Sequence, residues 1–264
     1  MIDFRAAGGP MEQFEILPIV PIRIGGIDLS FTNSALWMLI GVAAIALFFF
    51  FATRRRALVP GRTQSVAEVL HEFISDLVRD TIGTEGRKFF PYVFTLFIFI
   101  LIANLFGLFP SIPGLPHELH TFTTTSHVIV TLGLAMTTIT IVVAYGVWKH
   151  GWKFLKLFAP SGLPLWLMFI LVPIEIISFL SRPLSLAIRL FANMLAGHII
   201  LKLFAGFVIS LLGAGGVVMA LSIAPFAGAV AVMLLEFLVA ALQAYVFAIL
   251  TCIYLSDAAH AGDH

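Results

Sequence analysis

An apolar stretch from about Leu163 to Leu212 nonetheless carries Glu175, Arg182, Arg189, Asn193, His198 and Lys202. A charge at the centre of a bilayer costs roughly 2.5–3.5 kcal/mol even on lenient insertion scales, so such residues normally face a protein interior or a water-filled path. Arg189 is the most telling of them. A buried Lys, His or Glu can neutralise itself, whereas a guanidinium cannot shed its proton. Something must be gained from a permanent positive charge there; the plainer reading is a buried ion pair with Glu175 or Glu236. Glu175, Arg182 and Arg189 are seven apart, a spacing that drifts by only about 20° per step on a helix, so they share one face. Asn193 stays on that side, while His198, nine residues past Arg189, points about 180° away. Downstream, Glu236 and Gln243 also stand seven apart and share a face. The pattern is two separated polar patches rather than one. Blander readings stand beside it: Asn and Gln as interhelical hydrogen bonds, His198 as a packing residue, and Arg182 and Lys202 as side chains snorkelling to the interface.

The elements that hold these residues follow from composition. With 60% hydrophobic and 11% charged residues and a mean hydropathy of +1.06, the chain reads as an all-α polytopic membrane protein. A net charge of +1 with scattered basic residues excludes nucleic-acid binding. Cys252 is the single cysteine, so no internal disulfide can form. No phosphate-binding glycine loop and no nucleophile with an adjacent base stands in the sequence, so the chain is not expected to be an enzyme on its own. Residues 1–32 hold no apolar region with a small-residue cleavage site, and the first apolar run ends in Arg54, Arg55 and Arg56, a stop-transfer pattern.

One membrane domain is expected over residues 1–264. Residues 1–32 read as an irregular external segment and 34–53 as a first span long enough for about 30 Å of hydrocarbon. Over 62–88, Val66, Val69, Leu70, Phe73 and Leu77 recur opposite Glu68, Glu72, Asp76 and Arg79, the mark of an amphipathic helix lying on the membrane surface. Ser65 and Glu68 read as its capping box. A two-span hairpin follows over 89–148, with a break at Pro110. The stretch from Leu163 to Leu212 is about 50 residues, roughly 75 Å if helical, so it is either two spans or one long, bent, strongly tilted helix. The tilted helix is preferred, since Pro173 and Pro183 are single prolines that kink membrane helices more often than they end them. A turn at Leu211–Val217 and a second long helix to about Asp257 complete a hairpin over 163–257. Lys and Arg gather in the Arg54–Arg62 and Lys149–Lys156 connections, which the positive-inside rule assigns to the cytoplasm, with the N-terminus outside and the C-terminus inside.

RPLSLAIRLFANMLAGH (Arg182–His198) with Glu175 upstream, ANLFGLFP (Ala103–Pro110) and the Glu236–Gln243 pair resemble the subunit a family of the F-type ATP synthase membrane sector. The likeness covers nearly the whole chain, and its RLFAN core is the most specific part. The resemblance implies a non-catalytic stator subunit in a rotary ATP synthase. Its tilted hairpin would lie against a ring of c subunits, each with one membrane-embedded carboxylate, alongside peripheral-stalk b-type subunits. It implies that Arg189 is the essential arginine preventing a short circuit, that Glu175, Asn193, His198, Glu236 and Gln243 line two offset half-channels, and that no cofactor or metal is needed. Having His at 198 and Glu at 236, with Gly107, is similar to mitochondrial versions and implies a bacterium related to the mitochondrial ancestor, with the chain in its inner membrane. Asn104, Thr123–Thr125 and His127 would extend the outer path. The rivals are an ion-coupled secondary transporter, which would show paired repeats, and a quinone-handling respiratory subunit, which would show a paired-His haem site; the sequence has neither feature.

Overall fold

A computed structural model of the chain describes residues 18–21, 23–24, 27–28, 30–54, 57, 59–108, 124–151, 154 and 165–260. Most of residues 1–32, residues 109–123, and Arg55, Arg56, Lys153 and Lys156 lie outside the described residues.

The segment expected to be irregular contains four short strands: β1 (Pro18–Val20), β2 (Arg23–Ile24), β3 (Ile27–Asp28) and β4 (Phe31–Thr32). β1 pairs antiparallel with β4, and β2 with β3. Such pairing satisfies backbone N–H and C=O groups that would otherwise be left to solvent; its few, scattered apolar residues give no alternation long enough to reveal it in advance.

Six helices follow. α1 (Asn33–Arg54) has 22 residues, about 33 Å, enough to cross the hydrocarbon layer. The Thr32 hydroxyl accepts a hydrogen bond from the Ala35 N–H at 3.4 Å, a capping contact at its start. α2 (Arg62–Ile82) begins at Gly61 with no side-chain cap, which corrects the expected Ser65–Glu68 box. The helix starts four residues earlier than that box required, so the Ser65 N–H already donates to the Gly61 carbonyl and Glu68 instead accepts from Gln64 Nε2 at 2.7 Å. α2 ends at Gly83, whose φ of 80° is open to glycine and costly for other residues. A 3-10 turn, Gly83–Lys88, leads into α3 (Phe90–Leu108).

α4 spans Val128–His150, α5 Leu165–Ala214 and α6 Ile223–His260. α5 is one continuous helix of 50 residues, running through both Pro173 and Pro183. It stops where Gly215 and Gly216 take φ values of 67° and 60°, and a 3-10 turn, Gly216–Ser222, joins it to α6. Among the described residues five helices are long and apolar enough to cross a membrane, and large apolar side chains such as Phe169 and Trp148 stand 84% exposed on them. Water would not tolerate so much open apolar surface; lipid does. The protein is an all-α multi-pass membrane protein.

Two compact units share these helices: one comprises 1–44, 100–127 and 190–243, the other 45–99, 128–189 and 244–264. In the first, Trp37 of α1 meets Phe106 of α3 edge-on at 6.2 Å. In the second, Ala244, Ala248 and Cys252 form a fully buried stripe of small residues four apart on α6, which lets neighbouring backbones approach closely. In that unit α2 buries Ala67, Ile74, Val78 and Ile82, whereas Val66, Val69 and Phe73 remain exposed. The apolar face expected for α2 is thus wider than periodicity suggested: one half packs on protein and the other is left open.

Candidate functional site

Arg182 and Arg189 belong to one unit and to one helix, α5, but their surroundings differ. Arg182 is half-buried, 3.9 Å from a Glu175 carboxylate oxygen and 3.7 Å from an Asp257 oxygen on α6. Its guanidinium also lies 5.9 Å from the centre of the Tyr254 ring, within range of a cation–π contact. Arg182 is therefore paired rather than snorkelling. Arg189 stands exposed while Leu186 and Ala187 nearby on α5 are buried, so its side of the helix faces outward from the chain. Among the described residues no carboxylate lies within ion-pairing distance of Arg189, and the expected alternative of a pair with Glu175 is taken up by Arg182. Asp257 and Tyr254 were not singled out from the sequence. Their only signal is a polar residue one turn past an aromatic near the end of an apolar helix.

The other unit gathers the remaining candidates. Asn193 of α5 donates from Nδ2 to Gln243 Oε1 of α6 at 3.4 Å; the spacing argument had put Asn193 with Arg189, but helix geometry alone could not reveal a partner across the hairpin. Farther along α5, Gly197 lies directly against Glu236: a Cβ added there would meet the carboxylate, with Cδ only 2.6 Å away. The pairs run in opposite order, 193 with 243 and 197 with 236, so these parts of α5 and α6 are antiparallel. His198, half-buried, follows Gly197 directly, with Lys202 one turn on. Gly197 was missed by sequence reasoning, because nothing local marks a glycine that makes room for a distant side chain.

On α3, Asn104 is fully buried and donates to the Ala240 carbonyl at 3.2 Å, one turn from both Glu236 and Gln243. Both Glu236 carboxylate oxygens, Gln243 Nε2, Asn104 Oδ1 and Thr125 Oγ1 are buried without a protein hydrogen bond. Leaving such atoms unsatisfied costs about 1–3 kcal/mol each, so buried polar groups of this kind ordinarily find a partner in ordered water or another chain. His127, half-buried at the start of α4, has its pKa lowered by burial. Among the described residues no group of His, Cys, Asp and Glu is gathered as metal ligands are.

Outside the spans, Glu85 of the turn after α2 accepts hydrogen bonds from Lys149 Nζ at 2.7 and 2.8 Å and from the Tyr145 hydroxyl at 3.1 Å. The Lys149 bond, then that of Tyr145, holds its pKa below the usual 4.5. Lys149 and His150 also reach the Ala259 carbonyl, both at 3.0 Å, which ties the ends of α4 and α6 to this turn.

The model of the family described as ATP synthase A chain matches residues 35–256. The chain is 59% identical over 251 residues to ATP synthase subunit a of Mesorhizobium japonicum, covering 95% of this chain and 96% of that one. It is 58% identical to that of Hyphomonas neptunium, covering 97% of each, and 54% identical to that of a Chelativorans species, covering 97% of this chain and 99% of its relative. With its open arginine, its buried polar run and this likeness along almost its full length, the chain belongs to the ATP synthase A chain family.

Proposed function

We propose that the chain is the stator subunit of a rotary ATP synthase membrane sector and carries protons to and from a ring of c subunits through two offset half-channels. The observation that carries the reading is Arg189: a permanent charge on an outward face of a membrane helix, unpaired by any described carboxylate, is tolerable only if a partner supplies the counter-charge. A ring carboxylate arriving there is favoured in its ionised form and gives up its proton. The same charge interrupts any continuous proton wire, so protons cross only as the ring turns, each contributing ~2.3 kcal/mol per 100 mV of membrane potential.

In this reading Asn193, His198, Glu236 and Gln243 line the half-channel open to the periplasm, with Asn104, Thr125 and His127 extending it. The buried unsatisfied atoms of that unit support the assignment, and imidazole, titrating near pH ~6.5 when unperturbed, suits a relay. Glu175 lines the cytoplasmic half-channel. The sides follow from the positive-inside rule, with the N-terminus periplasmic, the C-terminus cytoplasmic and the chain in a bacterial inner membrane beside b-type stalk subunits. No observation favours the transporter reading.

ATP-driven acidification of inverted membrane vesicles tests this. With assembly of the complex verified, Arg189→Ala is expected to abolish pumping; pumping that survives would make Arg189 a structural residue and overturn the mechanism.

A further inference from the structure

Between Lys202 on α5 and Glu236 on α6, residues 203–235 hold no ionisable or amide side chain; Ser210 and Ser222 are their polar residues. This distal part of the hairpin is nonetheless open almost all round: of residues 203–235, Ser222 alone is buried. Phe207 and Ile209 lie about 200° apart on α5, and both are exposed. Val217 in the turn is 88% exposed, and Leu221, Ile223 and Phe226 after it stand open as well. A helix that is apolar on every side suits hydrocarbon, whereas a protein partner would cover one side.

The turn is also built to do without water. α5 and α6 stay packed close to it, with the Phe204 ring 3.0 Å from the position a Cβ on Gly228 would take. The 3-10 turn Gly216–Ser222 bonds along its own backbone, and the Ile223 N–H returns to the Ala220 and Leu221 carbonyls. The Ser222 hydroxyl donates to the Met219 carbonyl at 2.7 Å. Backbone inside a bilayer has to be satisfied within the protein, and these bonds serve that requirement. Length points the same way. With Glu236 near mid-bilayer, an upright hairpin would run about 18 Å from Lys202 to Ala214, more than half of a hydrocarbon layer ~30 Å thick. The turn would then reach the headgroups, where Trp, Tyr, Lys and Arg are enriched; residues 203–235 contain none of them.

We infer that the turn joining α5 to α6 does not emerge into water but lies within the bilayer hydrocarbon, with lipid acyl chains around it and along the helices that flank it. This placement rests on the chain being a membrane protein and not on the proton path. Taken with the proposed half-channels, a turn held in lipid gives water no entry there, and the route to Glu236 starts on the α3 side, where Asn104 donates to the Ala240 carbonyl.

The test uses the whole complex in lipid nanodiscs, with Cys252→Ala and the cysteines of the other subunits replaced, and a single nitroxide attached at Val217→Cys or Met219→Cys. Both side chains are exposed, so ATP-driven acidification at the native rate is expected of each labelled complex. Power saturation compares collisions with dissolved oxygen, which concentrates in hydrocarbon, and with a water-soluble nickel chelate. At both positions the oxygen-to-chelate ratio is expected to exceed that of the same label on a water-soluble peptide by at least about tenfold, because hydrocarbon excludes a polar solute. A ratio equal to that of the peptide places the turn in water, and protection from both reagents places it against another subunit; either result overturns the inference.

Discussion

Two arginines seven residues apart on α5 receive opposite treatment. The chain surrounds Arg182 with Glu175, Asp257 and the Tyr254 ring, and leaves Arg189 on an open face with no described counter-ion. Residue type and depth in the helix do not separate them; partners do. A guanidinium whose counter-charges belong to the chain is a brace between α5 and α6, whereas one left open is free, in the proposed function, to meet a charge that comes and goes.

Substitutions along the hairpin sharpen that contrast. After the complete loss expected for Arg189→Ala, the next largest effects fall on the proposed relay. Glu236→Gln and His198→Ala should each slow ATP-driven acidification by up to ~100-fold without abolishing it, because water and neighbouring polar atoms can partly replace a relay but not a fixed charge. Equal and total losses in all three variants would erase the distinction between gate and relay. Gly197→Ala comes next. A methyl group there meets the Glu236 carboxylate, so overpacking should lower stability by about 1–3 kcal/mol, read as a lower melting temperature of the complex, together with slower pumping; unchanged melting and pumping would mean that α5 and α6 are not in contact there.

Arg182→Gln should do far less, because its pairs are partly exposed and such pairs are worth about 0–1 kcal/mol. A slight loss of thermal stability with pumping retained is the expected result, and a loss as complete as that of Arg189→Ala would break the comparison. The smallest effect is at Glu85. Its folded pKa lies below the ordinary 4.5, so the Lys149 contact contributes stability above that value and loses it as pH falls through the lowered pKa. Limited proteolysis between Gly83 and Lys88 should therefore rise at acid pH in the native protein, and Glu85→Gln should already be cleaved at neutral pH with little further change on acidification.

Much of this arrangement is legible in the sequence. Long uncharged runs announce the spans because the bilayer sets their length, and α1 and α5 fall within a residue or two of the expected bounds. Charges inside those runs stand out because they cost energy there, which is why Glu175, Arg189, His198 and Glu236 could be named at once. What stays hidden is anything decided by a partner far along the chain: Asp257 reaching Arg182, Gly197 making room for Glu236, Asn193 bonding to Gln243. Helical periodicity fixes the face on which a residue lies, not what meets it. The same limit appears in α2, where periodicity marks an apolar side through Val66 and Val69 but not that Ala67 and Ile74 pack while those two stay open.

The central claim is that the charge at position 189 must be permanent, and Arg189→Lys tests it most directly. Lysine keeps the positive charge and much of the size but can become neutral in an apolar site, as arginine cannot. With the complex assembled to the native level, ATP-driven acidification by Arg189→Lys is predicted to be lost as it is with Arg189→Ala. Pumping at a near-native rate would show that any cation suffices there and would contradict the account.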